Sequence, residues 1–247
     1  MNRFAVIAGG GTSGHVLPAL AIAESIIDHG HEREEIVYFG ARRGRETQLV
    51  PPTGLTLHVF DVIGLQRELS VKAQLSNLLF APKLLRSTWQ AFRLMRKLRP
   101  RVVISVGGYA SLPAVLSARL LKIPVVVVTY DRTPGRSSAL TSRFAAAVAS
   151  AFPDSPLPRS HFTGAPVRRA LRTLVRDQER ARARELLGIP PECFMIGVVG
   201  GSLGSGILNE AVLDGTIMTG VKGIEAIKGY DRSKGECVDC SAITNTK

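Results

Sequence analysis

Phe4-Ala5-Val6-Ile7-Ala8-Gly9-Gly10-Gly11-Thr12-Ser13-Gly14-His15 is the stretch that decides the fold. Its first five residues are apolar and β-prone. A glycine-rich turn follows at once. From residue 15 to 27 the apolar positions Val16, Leu20, Ile22, Ala23 and Ile26 recur at helical spacing, as on the buried face of an amphipathic helix. Strand, glycine turn and helix form the opening unit of a nucleotide-type α/β domain. Glycine lets the chain turn sharply and lets a phosphate approach main-chain N–H groups at the helix N-terminus.

The same punctuation returns twice. Further strands are predicted at residues 36–39, 55–60, 102–106 and 123–129. Gly107-Gly108-Tyr109-Ala110-Ser111 follows the fourth strand and opens a helix over 111–121. Gly200-Gly201-Ser202-Leu203-Gly204-Ser205 follows an apolar run at 194–199. Ligands of open α/β sheets bind at strand C-terminal ends, so loops placed there read as parts of one site. The valine run at 123–129 looks buried on both faces, and strands alternate with helices. Both features predict a parallel sheet with helical cover.

Three prolines in residues 152–160 suggest a hinge, and 168–187 reads as one charged helix. A second strand–glycine–helix unit begins near 194. From 214 onward glycine and lysine are frequent, apolar periodicity is poor, and no strand of convincing length is predicted.

Composition narrows the classes. The 247 residues are 45% hydrophobic and 21% charged, as in ordinary globular domains. The net charge of +12 favours anionic partners, unless it is only a soluble basic surface. No run reaches the roughly 18 apolar residues of a membrane span, and the N-terminus lacks the order of a signal peptide. Cys193, Cys237 and Cys240 are too few for a disulfide framework and predict a reducing compartment. The lone Cys237–Cys240 pair reads as incidental. Aromatic residues make up 6% of the chain and no RNA- or DNA-binding motif is present, which argues against nucleic acid.

The first loop alone leaves its chemistry open. A nicotinamide enzyme would carry an acid at the end of the second strand to hold the ribose. That strand runs into Phe39-Gly40-Ala41-Arg42-Arg43, where no acid stands, although Arg42 and Arg43 suit a 2′-phosphate. His15 follows the last glycine directly. An imidazole there is either a general base near neutral pH or a helix N-terminal histidine without chemistry. An NADP-dependent oxidoreductase and a non-enzymatic phosphate- or lipid-binding module therefore stand beside group transfer.

Residues 67–101 hold nine Lys or Arg and one acid, Glu68. Pro82 divides the segment into two helical stretches. Leu85, Trp89, Phe92 and Met95 share one face of the second stretch, and Lys83, Arg86, Arg93 and Lys97 the other. Leu85, Trp89 and Phe92 read as core, since an α/β layer needs such a stripe. The patch of Leu78, Leu79, Phe80 and Leu84, with Lys72 and Lys83, reads as a contact for an anionic membrane surface.

Taken in order, four elements resemble the MurG family of bacterial glycosyltransferases. They are Gly9 to Ala21, Gly107 to Pro113, Gly164-Ala165-Pro166-Val167-Arg168, and Gly200 to Asn209. The resemblance covers roughly residues 3 to 213. It implies an α/β chain of GT-B type, with a Rossmann-like parallel-sheet N-terminal domain and only the start of a second Rossmann-like domain. It assigns 1–165 to acceptor binding, 166–213 to a linker helix and the first donor-domain unit, and leaves 214–247 as an atypical tail. It implies inverting transfer of N-acetylglucosamine from UDP-N-acetylglucosamine to an undecaprenyl-linked muramyl-pentapeptide. No metal or other cofactor is implied, and the place is the cytoplasmic membrane face, held peripherally.

By the same resemblance His15 is the base that takes the acceptor hydroxyl's proton. Gly10, Gly11, Gly107, Gly108 and Tyr109 cradle the acceptor diphosphate. Thr12, Ser13, Gly14, Asp131, Arg168 and Ser202 face the donor. Two departures stand out: Asp131 and Ala165 each replace an asparagine of the family pattern. The family's donor domain also continues far beyond the third loop, and residues 214–247 do not resemble it. The expectation is a donor domain cut short and a chain with little or no transferase activity alone.

Overall fold

The computed structural model describes residues 3–64 and 80–191, with the backbone of residues 228–231 and 236–239. It divides into two compact units, Met1–Leu174 and Val175–Lys247.

The first unit is built on a seven-stranded sheet: β1 (Ala5–Ala8), β2 (Ile36–Ala41), β3 (Thr56–Phe60), β4 (Val102–Ser105), β5 (Val125–Thr129), β6 (Ala147–Ser150) and β7 (Ser160–Phe162). The order is β3-β2-β1-β4-β5-β6-β7, and every pairing is parallel. The chain winds outward from β1 to β3, then crosses back to lay β4 on the other side of β1. Strand order reverses between β1 and β4, which opens a crevice at their C-terminal ends. Ala8 pairs with Ser105 there, and a glycine loop continues each strand.

Helices cover both faces: α1 (Ser13–Asp28), the single turn α2 (Glu46–Leu49), α3 (Phe80–Leu98), α4 (Leu112–Leu120), α5 (Arg136–Ser142) and the short α6 (Arg169–Arg172). Alternate residues of a strand point to opposite faces. On β1, Val6 and Ala8 join Ala91, Met95, Ala114 and Ala118 of α3 and α4 in one core. Ala5 and Ile7 join Val16, Ala19, Leu20 and Ala23 of α1 in the other. A strand covered on both sides reads as an unbroken apolar run, which is why β1 and β5 were legible.

Several expectations need correction. Leu85 and Trp89 are not core: they are 72% and 60% exposed, and Phe92 is half-buried. Helix α3 buries Ser87, Ala91 and Met95 instead. The reason is close packing on α4, where small residues let the backbones approach. The Ser117 hydroxyl donates to the carbonyl of Thr88 at 2.9 Å. Outside, Trp89 stacks on Phe92 at 5.7 Å. Strands β6 and β7 flank and enter the region that reads as a hinge. Ala-Val-Ala-Ser has weak strand preference of its own, and pairing with β5 and β7 decides the outcome.

The expected helix over 168–187 is two. Helix α6 belongs to the first unit, and α7 (Arg176–Leu186) to the second. Val175, before α7, is extended. In the second unit β8 (Lys228–Asp231) and β9 (Glu236–Asp239) pair antiparallel, against the expectation of a tail without strands. The predicted strand at 194–199, the third glycine loop with Ser202, and Lys72, Leu78 and Leu79 lie outside the described residues.

Candidate active site at the glycine loops

The two loops pack back to back. A Cβ on Gly108 would stand 2.5 Å from the Gly10 carbonyl oxygen, and Gly108 has φ +74°. Only glycine meets both demands. The Gly108 carbonyl accepts the hydroxyls of Ser111 and Ser137, each at 2.9 Å. Ser137 comes from the first turn of α5, so the loop after β5 closes on the same point.

Thr12 is the N-cap of α1 with extended φ and ψ, but its hydroxyl caps no backbone group. It meets His15 Nδ1 at 3.2 Å instead. When Nδ1 carries the proton and donates to Thr12, Nε2 keeps its lone pair. The half-buried imidazole lies on Gly107, where a Cβ would stand 3.2 Å from His15 Cδ2. Burial lowers the His15 pKa below its ordinary value, while the negative charges of Asp131 and Glu46 oppose that shift. The ring is therefore neutral at neutral pH, the state a base requires.

Main-chain donors surround it. The amides of Ser13, Gly14, Gly107, Gly108 and Tyr109 have no partner among the described residues. The first two are orphan donors at the positive end of a 16-residue helix, a seat for an anion. The Tyr109 ring lies over Gly11, 3.1 Å from where its Cβ would be.

The structure also brings in residues that the sequence reading passed over. Pro18 sits inside α1 and has no N–H for the Gly14 carbonyl. The Tyr130 hydroxyl donates to that carbonyl at 2.8 Å, and its ring stands 6.4 Å from that of His15. Burial, with Asp131 second, raises the Tyr130 pKa, so the phenol keeps its proton.

Glu46 is the larger omission. No acid follows β2 directly, yet the turn at 42–45 reverses the chain and returns Glu46 to the strand's end. Its carboxylate accepts the amide of Ala41 at 2.5 Å and that of Gly11 at 3.0 Å. It is wholly buried. An acid in a glycine-bearing turn just after a predicted strand was the available signal.

The other expected residues are spread. Asp131 is exposed beyond β5 and near enough to His15 to act on its charge. Arg168 is not brought to the loops. Its guanidinium holds Glu24 at 2.7 Å, roughly 13 Å along α1 from His15 at 1.5 Å per residue. There it lines a hollow of about 360 Å³ with Leu20, Ile27, Arg33 and Leu55. Phe80, Lys83 and Leu84 are half-buried at the start of α3, and Lys83 pairs with Asp61 at 3.1 Å.

Comparison with known proteins agrees with this architecture. The model of the glycosyltransferase family 28 N-terminal domain matches residues 5–150. A curated UDP-N-acetylglucosamine–N-acetylmuramyl-(pentapeptide) pyrophosphoryl-undecaprenol N-acetylglucosamine transferase of Desulforudis audaxviator (strain MP104C) is 38% identical over 216 residues, or 84% of this chain and 55% of that protein. The transferase of that name from Streptomyces coelicolor is 37% identical over 212 residues, covering 84% and 56%. The chain thus spans about half the length of these relatives. Among solved structures, Acinetobacter baumannii MurG superposes with a TM-score of 0.54 at 28% identity, covering 70% of this chain and 48% of that one. With the parallel sheet, the paired glycine loops and His15 between them, this chain belongs to glycosyltransferase family 28 and is a homologue of MurG.

Proposed function

We propose that this chain provides the acceptor side of an inverting transferase that moves N-acetylglucosamine from UDP-N-acetylglucosamine to an undecaprenyl-linked muramyl-pentapeptide. One observation carries the proposal: the His15 imidazole, on Thr12 through Nδ1, lies between the two glycine loops, next to the amides of Ser13, Gly14, Gly107, Gly108 and Tyr109 that have no partner among the described residues. The names of the relatives supply the substrate class.

The acceptor diphosphate takes the free amides of Gly107, Gly108 and Tyr109. The acceptor hydroxyl gives its proton to His15 Nε2 as its oxygen bonds to the anomeric carbon. The bond from that carbon to UDP breaks, and the pair of electrons leaves with UDP. Thr12, Ser13 and Gly14 face the donor across the crevice, where the α1 dipole favours its negative charge. Arg168 and Ser202 are proposed as donor contacts on the family resemblance alone. Arg168 stands with Glu24, away from the loops, and Ser202 lies outside the described residues. Asp131 is exposed beyond β5.

Docking at the cytoplasmic face of an anionic membrane is part of the same proposal. No helix among the described residues is long and apolar enough to cross a membrane. Exposed Leu85 and Trp89 extend the proposed lipid contact of Phe80, Lys83 and Leu84 along α3. The NADP-dependent reading loses support, because the family and the relatives that match this chain are glycosyltransferases.

The test is turnover of UDP-N-acetylglucosamine with the lipid acceptor, by the chain alone and by the chain fused to the donor half of a relative. The chain alone is expected to show little or no turnover. The fusion is expected to be active and to lose about 100-fold or more with His15→Gln. Full rate in that variant would remove His15 from the reaction.

A further inference from the structure

Glu46 is a fully buried carboxylate that the transfer chemistry above does not use. Burying a charge is costly unless hydrogen bonds satisfy it. Here both partners are main-chain amides, Gly11 N–H and Ala41 N–H, and no ion pair among the described residues includes it. The seat is carved out of three glycines. A Cβ on Gly40 would lie 2.5 Å from Glu46 Cγ, and one on Gly10 or Gly44 would overlap the carboxylate itself. Two distant chain segments, 9–11 and 40–44, are thus shaped around one side chain.

That arrangement has a consequence for ligand binding. In a phosphate-binding glycine loop the amides face the ligand. The Gly11 amide faces inward to Glu46. The Gly11 amide is thus withdrawn from any ligand, and the donors left without a partner among the described residues include those of Ser13 and Gly14 in the first turn of α1.

We propose that Glu46 is the positioning residue of this site, an internal anion that ties the Gly11 amide to the end of β2 and so sets the loop that seats Thr12 and His15. The tether itself does not depend on what is transferred. Only its relevance to catalysis rests on the transferase reading. The charged and titratable groups around His15 are Glu46 from α2 and Asp131 and Tyr130 from the end of β5. Of these, Tyr130 meets the loop at the Gly14 carbonyl and Glu46 holds the Gly11 amide.

The experiment uses the 247-residue chain with Glu46→Gln and Glu46→Ala. Imidazole NMR follows the His15 titration, amide hydrogen exchange follows Gly11 and Ala41, and thermal unfolding is run with sodium formate against sodium chloride at equal ionic strength. With Glu46→Gln, His15 is expected to titrate lower than in the parent, because one of the two negative charges favouring its protonated form is gone. At least one of the two amides is expected to exchange about tenfold faster, since an amide side chain cannot accept from both. Glu46→Ala is expected to lower Tm, and formate, a carboxylate of the right size, to restore part of it where chloride does not.

Unmoved exchange at both amides would overturn the proposal. So would lost stability with an unmoved His15 titration, which makes Glu46 a structural tether only. If Glu46→Ala fails to fold, the near-isosteric Glu46→Gln decides. None of these measurements involves a sugar nucleotide, so their failure and a failure of the transfer assay are separate results.

Discussion

The Tyr130 hydroxyl donates at 2.8 Å to the carbonyl of Gly14, the helical acceptor that Pro18 leaves without its N–H. A residue at the end of β5 thereby completes the first turns of α1, beside His15. Tyr130→Phe removes the donor and keeps the ring. The expected loss is about 0.5–1.5 kcal/mol in urea unfolding. Pro18→Ala restores an N–H for Gly14, so the second substitution should cost less in that background. Equal cost in both backgrounds in a double-mutant cycle would show that the two groups are not coupled.

Two glycines of the loops should respond with opposite sign. Gly108→Ala places a Cβ 2.5 Å from the Gly10 carbonyl at φ +74°, and about 1–3 kcal/mol of stability should be lost. Gly14 lies in the first turn of α1, with nothing nearer to a Cβ than Thr12 Oγ1 at 3.6 Å. Gly14→Ala should gain about 0.5–1 kcal/mol from helix propensity. Denaturant midpoints of the two variants check both, and equal effects would contradict the loop geometry.

His15 also fixes a pH dependence. Its folded-state pKa is lowered from 6.5, chiefly by burial. Below 6.5 the unfolded chain binds the proton more readily than the folded one, so stability falls as pH drops through that value toward the lower folded pKa. His58 is lowered by burial as well and acts in the same sense. His15→Gln should flatten the decline below pH 6.5, with the His58 part remaining. Urea unfolding across the range from pH 8 to 5, on both proteins, measures the difference. An unchanged slope would mean that His15 titrates alike in both states.

The segment after β7 is strapped to α1 by charge. Arg168 holds Glu24, and Arg169 and Arg172 both hold Asp28. These groups are partly exposed, so Glu24→Ala should cost only about 0.5–1 kcal/mol, less at high salt. Tryptic cleavage at Arg169 and Arg172 should quicken in that variant. Cleavage as slow as in the parent would show that other contacts hold the segment.

The exposed face of α3 gives a surface test. Leu85→Ser with Trp89→Ser should leave Tm nearly unchanged, since both side chains are exposed. Binding to vesicles containing anionic phospholipid should fall several-fold in flotation. Undiminished flotation would place the lipid contact elsewhere.

The sheet was legible in the sequence wherever burial on both faces made strands into unbroken apolar runs, as at Ala5–Ala8 and Val125–Thr129. The glycine loops were legible because each stands between such a run and a helical period. Their local chemistry needs only neighbours in the chain. Periodicity could not say which stripe of α3 is buried, since that depends on how near α4 lies, and Ser87, Ala91 and Met95 are inside because Ala114 and Ala118 allow close approach. Nor could it find β6 and β7, whose pairing outweighs weak local preference.

At the site, sequence alone picked out His15 and Thr12, three residues apart on one turn. Only the tertiary structure placed Gly107 under the imidazole, Tyr130 on the Gly14 carbonyl and Glu46 beneath Gly11. Those partners are 92, 116 and 35 residues apart in the chain, since 107 minus 15 is 92. Their meeting depends on the strand order that lays β1 beside β4 and on the turn that returns Glu46 to β2. Local pattern carries the information for elements and turns; juxtaposition across the sheet comes from burying both of its faces at once.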